Sequence, residues 1–178
     1  MSVRFVTRTA ILLALTVAFQ VMGRYLTPYM GSYNNFVVGP LVNACLLIAT
    51  AFVGIQSGIF IAIAAPFGAI LSGAAIPHLF APFIATGNVL IVLGFYLLMK
   101  KNQVAGVITG AFLKFAFLWG AIYFMAPVLT SKLPVAQASK MAATLLFSFS
   151  WPQLVTALVG GVLATIVIKA LRRHIGNI

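Results

Sequence analysis

Residues 37–99 contain no lysine, arginine, aspartate or glutamate. At a helical rise of 1.5 Å per residue this stretch would extend for roughly 95 Å, about three times the ~30 Å hydrocarbon core of a bilayer. A water-soluble domain has no way to surround so long an uncharged run. The rest of the chain has the same character: it is 63% hydrophobic and 6% charged, with a mean hydropathy of +1.16. The apolar material is spread along the sequence, so it is neither a signal peptide nor a lone anchor. The whole of 1–178 is expected to be a single all-α membrane domain.

Measured at ~20 residues per crossing, the sequence divides into six spans at 7–23, 37–53, 57–73, 82–99, 104–125 and 148–171. The cuts inside the long run fall at 54–57 (GIQS) and in the glycine- and proline-containing segment 73–82, which includes Pro77 and Pro82. Pro66 lies inside the third span, where a kink or unwound turn is expected. Six spans put both termini on one side of the membrane. Arg4, Arg8, Lys100, Lys101, Lys169, Arg172 and Arg173 fall on that side, against Arg24, Lys132 and Lys140 on the other, so both termini are expected to be cytoplasmic.

The chain has 11 Lys+Arg and no acidic residue. The cations cluster at span ends, where they meet lipid phosphates, and this pattern does not indicate nucleic acid. With no intramembrane carboxylate, coupling to a proton or cation gradient lacks its usual binding group. Hydrolytic chemistry lacks a carboxylate base, and no GxxxxGKS loop is present to bind nucleotide. Cys45, the single cysteine, excludes an intrachain disulfide and a cysteine-based metal site. No internal repeat of the inverted-transporter kind is evident between the halves. Any uphill movement must therefore draw its energy from another subunit.

Polar and aromatic residues gather at the non-cytoplasmic ends of the spans. The first outer loop offers Arg24, Tyr25, Tyr29, Tyr33, Asn34 and Asn35, the second offers His78, and Trp119, Tyr123, Trp151 and Gln153 lie near the third. A lipid-interface belt would put such residues at both surfaces. Their bias to one side points instead to an outward-facing pocket for a large, mostly neutral organic ligand. Asn43 and Asn88 lie within spans, where an amide must find a partner; bonding between helices is the plainer reading and ligand contact the other. His78 has the chemistry to ligate cobalt in a corrinoid, although a solvated loop histidine explains it as well.

Lys114 is set in GAFLKFAFLWG (110–120), near the bilayer midplane, where a lysine costs roughly 3 kcal/mol on insertion scales. With no side-chain carboxylate in the chain, it is solvated within the bundle, neutralised by a ligand anion, or paired with an acid on a partner. Helical spacing puts it with Gly110, Leu118 and Ala121 and away from Trp119 and Tyr123. On that basis the aromatics are the firmer pocket residues.

Ala10, Ala14 and Ala18 form a small-residue stripe in the first span, and Gly54/Gly58 and Gly106/Gly110 form GxxxG pairs. Spacing alone favours close packing inside the bundle over a partner surface for each. The length, six spans, cytoplasmic termini, basic residue before span one and the stripe AILLALTVA together resemble the S components of energy-coupling factor (ECF) transporters, multi-pass proteins of the prokaryotic cell membrane. That resemblance implies a vitamin-binding subunit that is not itself an enzyme and carries no cofactor. It also implies docking through Ala10, Ala14 and Ala18 on a module made of a transmembrane coupling subunit and two ATPase subunits. NNFVVGPLVNACLLIATAFVG, the Pro66 span and PFIATGNVLIVLGFYLL look like the cobalamin branch of the family, with pantothenate or another vitamin as the alternative. A self-contained solute channel is the rival from a different class.

Overall fold

The computed structural model describes residues 2–73 and 78–175, which are helical apart from short connections. The helices are α1 (Val3–Met30), α2 (Asn35–Phe52), α3 (Ile55–Leu71), α4 (Ala81–Leu98), α5 (Gln103–Thr130), α6 (Val135–Ser148) and α7 (Trp151–Ile175). Among the described residues, five helical segments are long and apolar enough to cross a membrane, and α3 is a shorter apolar helix. Two starts are fixed by local chemistry. The Ser2 hydroxyl accepts from the Phe5 amide and the Asn102 side chain accepts from the Ala105 amide, capping α1 and α5.

Three sequence expectations are corrected. The first outer loop is mostly helical, because α1 continues through Pro28 to Met30 and only the 3-10 turn Gly31–Asn34 separates it from α2. The third outer loop contains α6, too short to cross a bilayer at about 21 Å. Of the kink or unwound turn expected at Pro66, the unwound turn is absent, as α3 runs unbroken from Ile55 to Leu71. Pro77, in the expected second outer loop, lies outside the described residues.

Glycine sets the closest helix contacts. A side chain at Gly110 would put its Cβ 2.5 Å from the Ile91 carbonyl oxygen, and one at Gly94 would meet the Gly110 Cα at 2.6 Å, so α4 and α5 touch backbone to backbone. On α7, Gly160 leaves room for Asn43 and the Pro40 carbonyl of α2. Gly106 faces the Phe95 carbonyl and Gly58 faces Thr50 and Val92, whereas Gly54 lies in the α2–α3 turn with a φ of 126°. Apart from Gly54, the GxxxG residues thus serve internal packing.

The alanine stripe does not. Ala10, Ala14 and Ala18 are all exposed, while the buried residues of α1 are Thr9, Thr16, Gln20 and Gly23. Two residues along a helix is about 160° round it, so Ala14 and Thr16 occupy nearly opposite faces. This reverses the expectation of internal packing: α1 turns its polar stripe to the bundle and its alanines outward. Hydrogen bonds fasten that stripe to α3, from Thr9 Oγ1 to Ser57 Oγ (2.8 Å) and from Gln20 Nε2 to the Ala65 carbonyl (2.9 Å).

The core divides by depth. Leu46, Leu47, Ile61, Ile91, Val92, Phe95, Ala111, Ala164 and Ile168 fill the half nearer the termini. A smaller cluster of Phe80, Leu118, Ile122, Leu145 and Phe149 joins the start of α4, α5, α6 and the link between α6 and α7 in the other half. The space between that cluster and α1, α2 and α3 is open.

Candidate substrate cavity

A cavity of about 290 Å³ occupies this half. Its lining comes from the later parts of α1, α3 and α6 and the earlier parts of α2, α4 and α7, with Lys114 from the middle of α5. The cavity therefore opens at the end of the bundle opposite the termini.

Its floor is a polar junction of four helices. Lys114 lies on the buried stripe Gly110, Lys114, Leu118 and Ile122 of α5 and is 5% exposed. Its Nζ donates to Asn43 Oδ1 on α2 (2.7 Å) and to Asn88 Oδ1 on α4 (2.8 Å). Those bonds fix both amides with their oxygens toward the lysine. The Asn88 amide nitrogen then donates to the Ala62 carbonyl of α3 at 3.4 Å. That carbonyl lacks its usual helical donor because residue 66, four positions on, is proline. Pro66 and Asn88 thus form one unit, in which the proline frees an acceptor and the asparagine fills it.

The walls are mostly side-chain amides and hydroxyls. Gln20 and Asn34 line the cavity, and their nitrogens bond to the Ala65 carbonyl and to the Gly23 carbonyl and Thr27 hydroxyl respectively. Gln20 Oε1 and Asn34 Oδ1 are buried without a hydrogen-bond partner among the described residues. Gln153 on α7 donates to the Ser148 carbonyl of α6 (2.9 Å). At the mouth, Arg24 Nη1 donates to the Ser72 carbonyl at 3.3 Å. Among the described residues, the charged side chains in the lining are Arg24 and Lys114, both basic.

Of the residues singled out from sequence, Arg24, Asn34, Asn35, Asn43, Asn88, Lys114 and Gln153 line the cavity. Tyr25, Tyr29, Tyr33, Trp119, Tyr123 and Trp151 do not, and all six are more than half exposed. His78 is exposed in the 3-10 turn His78–Phe80. Tyr33 and Trp151 join Phe36 and Phe147 in a ring cluster with centroids 5.7–6.3 Å apart, tying α2 to α6 and α7. The face of Lys114 is thus the cavity-lining face of α5, and its aromatic face turns outward. Gln20, Thr27, Thr144 and Ser148 were missed. Gln20 had a usable signal, a large amide in the middle of an apolar span; Thr144 and Ser148 belong to α6, which span length does not reveal.

Sequence comparison places this geometry in a family. The profile described as "ECF transporter, substrate-specific component" matches residues 4–172. The chain belongs to this family. No curated protein and no solved structure is detectably similar to it. As an ECF substrate-specific component it is a multi-pass protein of the prokaryotic cell membrane and a substrate-binding transport subunit rather than an enzyme. The family implies association with an ECF module and a substrate.

Proposed function

We propose that the chain captures a vitamin from outside the cell in this cavity. It releases the vitamin inward when docked, through Ala10, Ala14 and Ala18, on the transmembrane coupling subunit of a module powered by two ATPases. The observation that carries the reading is the asymmetry of the bundle: a polar cavity opens away from the termini, and an apolar core fills the half behind it. The distribution of lysine and arginine makes the open end the outer one. A binding site closed from the inside suits a capture subunit that needs a partner for release. A self-contained channel would need a continuous polar path, and Leu46, Leu47, Ile61, Ile91 and Phe95 stand across it.

The cavity volume bears on which vitamin. About 290 Å³ lies at the small end of the range for ligand pockets. Cobalamin, suggested by the sequence pattern, is several times larger than a ligand that fills such a space. A smaller vitamin, of the size of pantothenate, matches it. Calorimetry of the purified chain against a vitamin panel, without any ATPase present, tests capture. The expected result is saturable 1:1 binding of a small vitamin; tight binding of cobalamin would overturn the size argument.

A further inference from the structure

At the floor of the cavity the unused groups are donors. Lys114 has three N–H donors and spends two on the oxygens of Asn43 and Asn88. With its oxygen turned to Lys114, the Asn43 amide nitrogen makes no hydrogen bond among the described residues.

We propose that the floor is a receptor for a carboxylate head group and that the ligand is a small monoanion. This rests on the reading of the cavity as the substrate site. One carboxylate accepts from the third Lys114 N–H and from the Asn43 amide, so the free donors of the floor find acceptors and the lysine gains the counter-ion that the chain withholds. Charge-assisted bonds of this kind are stronger than neutral ones. The head group is a carboxylate rather than a phosphate dianion because the floor carries a single cation, and a second negative charge would sit uncompensated near the midplane. Gln20 Oε1 and Asn34 Oδ1 are enclosed against the backbone at Gly68 and Gly23 and are not reached from the cavity, so the polar recognition lies at the floor. The ligand is thereby oriented, anion inward.

The test uses matched pairs differing only in the head group: pantothenate against pantothenol, nicotinate against nicotinamide, and biotin against its primary amide. Binding to the purified full chain is measured by calorimetry. For at least one pair the carboxylate should bind about tenfold to a hundredfold tighter than its neutral counterpart. In Lys114→Met that preference should vanish, and Lys114→Arg should keep part of it. The wild-type comparison stands even if Lys114→Met does not fold. Equal affinity within every pair that binds, no binding by any carboxylate, or a preference that survives in a folded Lys114→Met protein each overturns the proposal. Association of the wild-type chain with its module is scored separately. Head-group preference without association contradicts the transport reading and leaves the carboxylate receptor standing; association without preference does the reverse.

Discussion

Asn88 does two jobs with one amide: its oxygen accepts from Lys114 and its nitrogen donates to the carbonyl that Pro66 releases. Asn88→Ala therefore leaves two groups short of partners, and a loss of about 1–3 kcal/mol in thermal or denaturant unfolding is expected. Pro66→Ala restores an N–H to bond the Ala62 carbonyl within α3. In the Pro66→Ala background the cost of Asn88→Ala should fall by about 1 kcal/mol, and strict additivity of the two changes would show that they are not linked. Each residue of this junction could be noticed in the sequence as a polar group in an apolar run. Their convergence could not, because Asn43, Asn88 and Lys114 lie on three helices and helical periodicity relates residues of one helix only. The face of Lys114 was legible from its spacing to Gly110 and Leu118; that this face is the inner one follows from the Gly94–Gly110 contact with α4.

At the scale of the element, α1 shows how the membrane alters the usual rule for an amphipathic helix. Its bundle face holds Thr9 and Gln20, which bond to α3, together with Thr16, and on its exposed side Ala10, Ala14 and Ala18 form a shallow stripe. A bulky residue in that stripe has room, so Ala14→Trp should leave unfolding unchanged within about 0.5 kcal/mol. The same substitution should abolish co-purification with the module subunits, and retained association would remove the stripe from the docking surface. The all-helical membrane class was legible because length and hydropathy suffice to reveal long apolar helices. α6 was not, because VAQASKMAATLLFS is too short to cross and too mixed in polarity to register as a span. Yet it walls the cavity through Thr144, Leu145 and Ser148.

For the whole molecule, the division into a solid half and a hollow half gives the bundle a direction. Thr144 lines the cavity and is exposed, whereas Cys45, the only native cysteine, is 2% exposed in the apolar core. A membrane-impermeant maleimide added outside intact cells should label Thr144→Cys and leave the native chain unlabelled. Labelling that requires permeabilised cells would reverse the orientation drawn from the positive charges. The absence of acidic residues, visible in the sequence at once, acquires its meaning only at this scale, since the cations at mouth and floor face a cavity with no opposing charge.

The central claim is that this bundle binds from one side and cannot by itself conduct. Uptake of a labelled vitamin, chosen as the tightest binder in the calorimetric panel, into proteoliposomes tests it most directly. Vesicles holding the chain alone should bind the vitamin and accumulate none, and accumulation should appear only with the coupling subunit, both ATPase subunits and ATP. Entry into vesicles that contain the chain alone would contradict the account and establish a channel in its place.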